Sequence, residues 1–336
     1  MAINLMALEP HKVSRDLSGY ITYIYGPAKV GKTTLGSQMP KPLLLAFEKG
    51  YNALPGVIAQ DIVSWAEMKQ VVRELKKPEV KERFSTIIID TVDIAATLCD
   101  KFICNTNNVD TISQIPYGQG WTMLKKEFED VFRQITLAGY AVCFISHAKE
   151  EPFKRQDGTE YTLIRPSVGN TYNKIIENMA DLYGYMHPVF DPSTNQTKVV
   201  ITLRSLDGTI SAGGRFKHIP AEIDSSYDAL VKALNEAIDK TAAESGSEFV
   251  TDEKEKNVTE TVYDFDALMA TFNETLQKIV SSVPEDKFVE WWQPRIIEIT
   301  DKYLGKGKKV SQCTRTQAEM LSLVVDDFVA LANENL

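Results

Sequence analysis

The chain has 336 residues, 43% apolar and 25% charged, which suits one large globular core with a smaller unit beside it. That balance excludes a wholly disordered chain, and no run approaches the roughly 18 consecutive apolar residues of a membrane helix, so no membrane contact is expected. The net charge is -9, but residues 241–336 hold 10 Lys+Arg against 18 Asp+Glu and leave 27 against 28 for the first 240, so the acidity belongs to the tail.

The opening MAINLMALEPHKVSRD lacks an apolar signal core and a small-residue cleavage site, and the expected compartment is the cytoplasm. Cys99, Cys104, Cys143 and Cys313 show no CxxC pairing and read as reduced structural thiols. In chain order, strands are expected at 20–25 (YITYIY), 43–47, 86–90 (TIIID), 141–146 (AVCFIS) and 182–186. Nearly continuous apolar runs of this kind belong to strands covered on both faces. Helical patterns at 64–75, 92–104 and 121–137 alternate with them, which predicts stacked βαβ units around a mostly parallel sheet.

Between the first strand and the next helical pattern stands GPAKVGKTT. Gly26 and Gly31 permit the backbone turns that aim amides at phosphates, and the helix that follows points its positive end at the same anion. Gly26, Pro27, Ala28, Lys29, Val30, Gly31, Lys32, Thr33 and Thr34 are therefore assigned to a nucleotide, ATP. Lys32 would neutralise β- and γ-phosphate oxygens, and Thr33 would offer its hydroxyl to Mg²⁺. Asp90 ends an aliphatic strand, where its carboxylate can hold the same metal or simply cap the next helix. Asp93 reads as an ordinary residue of a helix amino end. Glu48 ends the strand 43–47 and can orient or deprotonate an attacking water, or be a surface residue before Lys49-Gly50. His147, after AVCFIS, can watch the terminal phosphate or be a hydrogen-bonded histidine of the sheet rim. His11, His187 and His218 have no zinc spacing with each other or with cysteine.

The order GPAKVGKT, strand-end Glu48, IIID ending at Asp90, and ISH resembles the RecA-type P-loop ATPases. More narrowly, LLLAFEKG, IIIDTVD, YGQGW and ISHAKE look like the compact phage-type AAA proteins that include RecA-like single-strand annealing ATPases, over about residues 15–238. The resemblance implies a catalytic Glu48, a Walker B Asp90, a polar sensor at His147, Lys32 on the phosphates, and DNA-binding loops at about 105–120 and 148–170. It also implies a homo-oligomer in which a basic residue from a neighbouring copy completes the site, with Arg215 the first choice and Lys149 and Arg204 behind it. Many RecA-like proteins carry glutamine where His147 stands, and no polymerisation strand is evident at the start of the chain. A phage-encoded protein of this kind would work in the bacterial host's cytoplasm.

The second loop interleaves Lys149, Lys154, Arg155 and Arg165 with Phe153 and Tyr161, but four acids cancel the four cations. It can present cations and rings to single-stranded DNA, or be a solvated hairpin. In the first loop, Tyr117 and Trp121 can stack on bases, or Trp121 can anchor its own helix. Asp157-Gly158 and Asp207-Gly208 predict two hairpins, at about 152–164 and 198–216. A helix at 227–241 closes the first part.

The expected organisation is an α/β RecA-like core at 1–240, an acidic flexible linker at 241–262 and a small helical C-terminal domain at 263–336. Helices are expected at 265–280, 284–303 and 317–331, the last with a Thr316/Glu319 capping box. Trp291 and Trp292 fit a bundle core or a partner anchor, and the lysine-rich GKGKK loop fits phosphate contact or open solvent. The leading expectation is a Mg²⁺- and ATP-dependent ATPase of phage-type DNA recombination or replication, its C-terminal domain recruiting a replication or recombination protein. A nucleotide-gated interaction module and a small-molecule P-loop kinase are the alternatives.

Overall fold

The structure is a computed structural model that describes residues 6, 9–155, 157–193, 195–246, 249–254 and 263–336. The chain divides into two compact units, Pro10–Thr259 and one that includes Glu260–Leu336. No helix among the described residues is long and apolar enough to cross a membrane.

In the larger unit, five parallel strands form the centre: β2 (Ile21–Gly26), β3 (Pro42–Ala46), β5 (Thr86–Asp90), β6 (Ala141–Lys154) and β8 (Leu182–Asp191). With β4 (Ala59–Asp61), β9 (Gln196–Thr202) and β11 (Glu222–Asp224), the spatial order is β11-β9-β8-β2-β6-β5-β3-β4. Strand β6 thus separates β2 from β5, and β9 and β11 add antiparallel pairing on one side. All five residues of β5 are buried, and its side chains alternate with the two-residue period of a strand. Ile87 and Ile89 join one core with Tyr23, Leu45, Phe144 and the aromatics of α2 (Trp65–Leu75) and α5 (Gln119–Leu137). Ile88 joins the other face with Leu44, Cys143 and Ile145. Near β2 and β8 that second face is covered by Leu230, Leu234 and Ile238 of α7 (Tyr227–Ser245). A sheet covered on both faces explains why its strands read as unbroken apolar runs.

Ser64 and Ser226 start α2 and α7 by accepting backbone N–H groups from Glu67 and Ala229, which satisfies donors the first helical turn leaves free. The first expected hairpin is present: β6 runs beyond the sheet and pairs antiparallel with β7 (Glu160–Pro166). Gly158 takes a φ of +89° in the connecting turn.

The second hairpin lies elsewhere. β8 and β9 pair across residues 192–195, where the Asp191 side chain accepts from the Ser193 amide and hydroxyl. Asp207-Gly208 instead sits in the loop before β10 (Gly213–Gly214), folded by bonds from the Thr209 amide and hydroxyl to Asp207. An aspartate turn closes loops as well as hairpins, so the dipeptide alone does not distinguish them.

The segment expected as linker is partly built into the core. Helix α7 reaches Ser245, and β12 (Val250–Thr251) pairs in parallel with β1 (Val13–Ser14), reinforced by the Ser14 hydroxyl donating to Glu253 O at 2.6 Å. The apolar pair Phe249-Val250 gives this acidic stretch something to bury, and Val250 packs on the α7 side of the core. Residues 247–248 and 255–262 of the expected linker lie outside the described residues.

The smaller unit contains α8 (Phe265–Ser282), α9 (Glu285–Lys287), a π-helical stretch Phe288–Trp292, α10 (Gln293–Leu304) and α11 (Ala318–Asn335). Phe272, Ile279, Trp292, Leu321, Val324 and Phe328 form its core. The capping box uses Thr314 and Gln317, not Thr316 and Glu319, because a 3₁₀ turn at Arg315–Gln317 precedes α11. Trp292 is fully buried, while Trp291 is partly buried under the Arg295 guanidinium at 4.0 Å. The tryptophan pair is therefore bundle core.

Candidate nucleotide site

Strand β2 ends at Gly26, whose missing side chain is a requirement: a Cβ there would stand 2.1 Å from Met186 O on β8. The chain then loops through Lys29, at φ +64°, and Gly31, at φ +107°, into α1 (Lys32–Ser37). Left-handed backbone at Gly31 suits a residue without Cβ and sets the turn directly against the helix start. Lys32 is only 6% exposed, and its ammonium donates to Gly26 O at 2.9 Å and Pro27 O at 2.7 Å. Burial pushes its pKa down, while Asp90, Glu48 and Asp93 oppose that shift by favouring the charged form. The ammonium is thus held on loop carbonyls beside three carboxylates.

Asp90 closes β5 and is 2% exposed. The Thr33 hydroxyl donates to Asp90 Oδ2 at 2.6 Å, joining helix α1 to the tip of a strand 57 residues away. Burial raises the Asp90 pKa; the Thr33 bond opposes this, the Glu48 charge adds to it, and Lys32 and His147 pull it down. The peptide after Asp90 is cis.

Registry between β3 and β5 brings the third group. Ala46 lies opposite Asp90, and the next two amides, Phe47 N and Glu48 N, approach Asp90 O at 2.8 and 3.4 Å. Glu48 Oε1 then stands 3.4 Å from His147 Nε2, both side chains about one-third exposed. His147 in turn is the β6 residue opposite Gly26 of β2. Inserting β6 between β2 and β5 is what places the histidine between the glycine loop and the acids.

Ala28, Lys29, Gly31, Lys32, Thr33 and Thr34 line a cavity of about 540 Å³, closed on other sides by Glu48, Asp90, His147 and the turn after β3. That turn contributes Lys49, Gly50, Ala53 and Leu54, which the sequence reading left unassigned. A Cβ on Gly50 would stand 3.4 Å from the Thr33 hydroxyl and 3.6 Å from Asp90 Oδ2, so the turn passes right over that pair. The signal for it was the glycine two residues past a strand-end glutamate.

The donor set fits Mg²⁺. A buried carboxylate with its pKa raised by desolvation and a hydroxyl aimed at the same point supply two hard oxygens, and Mg²⁺ commonly takes one or two protein oxygens and fills the rest with phosphate and water. Thr33 and Asp90 would hold it.

The structure does not bring Arg215 to this cavity. Its guanidinium pairs with Asp181 Oδ1 at 3.0 Å and donates to Asn178 O, while Asp181 Oδ2 accepts from Ile21 N at the start of β2. Arg215 thus lies at the amino ends of the strands whose carboxyl ends form the site. A role as a neighbour's residue would require that end of one copy to face the phosphate loop of another.

The residues considered for DNA occupy two places. Tyr117, in the turn just before α5, is 98% exposed, and Trp121, near the start of α5, is half exposed. On the β6–β7 hairpin, Lys149 and Arg165 both pair with Glu151, at 2.6 and 3.2 Å. Lys154 is exposed, and Arg155 lies over the Tyr161 ring at 4.9 Å and donates to Asp207 O. Arg204 is held by the carbonyls of Lys217 and Ile219.

Comparison with known proteins agrees with the cradle. A model described as AAA domain matches residues 18–216, which include Lys32, Thr33, Glu48, Asp90 and His147. The SPbeta prophage-derived uncharacterized protein YorG of Bacillus subtilis (strain 168) is 31% identical over 343 residues, spanning 99% of this chain and the whole of that relative. With more than half its length matched and the phosphate loop and strand-end acids assembled around one cavity, the chain belongs to the AAA domain family of P-loop proteins and has a prophage-derived relative.

Proposed function

We propose that the protein is a Mg²⁺-dependent, RecA-like ATPase of phage-type DNA recombination or replication, which holds single-stranded DNA as a nucleotide-dependent homo-oligomer. The observation that carries this reading is the meeting of Thr33–Asp90 and Glu48–His147 at one cavity floored by the glycine loop. In a hydrolytic cycle Lys32 leaves the carbonyls of Gly26 and Pro27 for the phosphate oxygens, and the loop amides with the α1 amino end hold the remaining charge. Bound Mg²⁺ supplies charge neutralisation at the phosphates. Glu48 orients a water and accepts its proton, and His147, 3.4 Å away, fixes the direction of that carboxylate. The hairpin cations Lys149, Lys154, Arg155 and Arg165, with Tyr117 and Trp121, are the groups for backbone contact and stacking. Arg215 of a neighbouring copy completes the site.

The prophage relative supports the phage setting, and the helical unit supports a recruiting role. That unit carries an apolar groove of about 530 Å³ lined by Phe272, Leu276, Phe288 and Ile296, with Lys308 and Lys309 at its edge. The groove also favours a second reading, in which slow hydrolysis only times the binding of a protein partner.

The test is ATP turnover at low salt with and without oligo-dT, on the wild type and on Lys32→Ala. Stimulation in the wild type and loss of nucleotide binding in the variant are expected. Identical turnover with and without DNA, together with no DNA binding by anisotropy, would remove the DNA half and favour the interaction module. Turnover by the lysine variant at the wild-type rate would remove the ATPase assignment itself.

A further inference from the structure

Strand β6 belongs to two layers. As far as His147 it pairs with β2, and from Ala148 onward its partner is β7 of the hairpin. His147 is therefore the branch point, and its ring is the one that reaches Glu48.

Asp93, near the start of α4 (Val92–Thr106), grips that branch from outside both strands. Its Oδ2 accepts the His147 amide N–H at 3.2 Å, and its Oδ1 accepts the hydroxyl of Ser167, the residue just past β7. Ser167 N–H donates back to His147 O at 2.9 Å. One carboxylate thus ties both feet of the hairpin, 54 and 74 residues away in sequence. Bonds to a carboxylate acceptor are stronger than bonds between neutral groups. The backbone ladder would hold a hairpin without this carboxylate. What Asp93 adds is a second tie, anchored on α4, between Ser167 and the backbone of the residue whose ring approaches Glu48.

We infer that Asp93 and Ser167 are positioning residues that make the β6–β7 hairpin and the His147 ring move as one body, so that the state of the nucleotide cavity is carried to the hairpin. The inference rests on the nucleotide reading of the Glu48–His147 pair. A terminal phosphate that draws Glu48 or His147 displaces the branch residue, and Asp93 passes the displacement to Ser167 and β7. Coupling of this kind is reciprocal, so a ligand that orders the hairpin also biases Glu48.

Hydrogen exchange on the full chain, with Mg²⁺ and a non-hydrolysable ATP analogue, tests this without DNA. In the wild type the analogue should protect residues 26–34 and change exchange across 148–166. Ser167→Ala should keep the first effect and lose the second, and Ser167→Thr, which returns the hydroxyl, should restore it. Turnover gives a second readout: Ser167→Ala should cut any stimulation by oligo-dT about 5-fold or more, the lower end of usual couplings, with basal turnover held. A hairpin that responds to nucleotide equally in Ser167→Ala and wild type overturns the inference, as does a wild-type hairpin that ignores bound nucleotide. Absence of protection at 26–34 in the wild type is a different failure, since it overturns the nucleotide reading and the coupling with it.

Discussion

The two units solve opposite problems with buried polarity. In the larger one, Lys32 and Asp90 are buried and both have pKa values displaced against their charged forms by that burial. In the helical unit the buried set is almost wholly apolar, and its buried hydroxyls, Thr300 and Ser322, are satisfied inside their own helices by Ile297 O and Glu319 O. Burying a charge is expensive unless something repays it on binding. The larger unit therefore keeps its chemistry in its interior, at the strand tips, and the smaller one keeps its charges outside and offers surface.

The contrast is sharpest for Glu48, whose removal should change turnover without changing the fold. Glu48→Gln keeps size and a hydrogen-bonding group toward His147 but cannot accept a proton. General-base loss lowers rates by about 10²–10⁴. Nucleotide affinity should hold, as measured by fluorescent-nucleotide titration beside steady-state turnover. Turnover at the wild-type rate would remove Glu48 from the chemistry and leave the Lys32–Thr33–Asp90 cradle as a binding site alone.

Next in size is an effect confined to the other unit. Trp292 is fully buried, with Phe272 and Phe328 in the same core. Trp292→Ala should destabilise the helical unit by about 3–5 kcal/mol, the usual range for a buried large aromatic. Calorimetry should show one transition lowered while basal ATP turnover persists, because the described residues that line the nucleotide cavity all belong to the larger unit. Parallel loss of turnover would mean that the units do not divide the labour as their interiors suggest.

How much of this was legible in the sequence depends on the reach of each contact. The glycine loop, Glu48 and Asp90 were readable because each is marked locally, by spacing or by an acid ending an apolar run, and parallel pairing then forces strand ends together at one edge. Asp93 was not, since nothing near it in sequence distinguishes a residue that caps a distant hairpin from one that merely suits a helix start. The β12 strand was hidden by its acidic neighbours, although Phe249-Val250 carried the apolar pair that buries it. Arg215 was read by resemblance as a neighbour's residue, a role that its intrachain pair with Asp181 neither carries nor opposes.

The smallest effect probes the energetic difference between the interiors directly. Asp90 carries a raised pKa because burial disfavours its carboxylate. Its folded form therefore binds a proton more tightly than the unfolded chain does, so stability from this group is complete below the unfolded value of 3.8 and is lost as pH rises through the folded pKa. At neutral pH the charged group weighs on the empty fold. Asp90→Asn should relieve this and so stabilise the nucleotide-free protein. Thermal unfolding should show the variant above wild type at neutral pH and the gap shrinking as pH falls through the folded pKa of Asp90. Mg²⁺ with nucleotide should reverse the order by stabilising only the wild type, because asparagine cannot offer the metal a charged oxygen. A variant less stable than wild type at neutral pH would show that the Thr33 bond outweighs desolvation, and that this carboxylate is structural before it is functional.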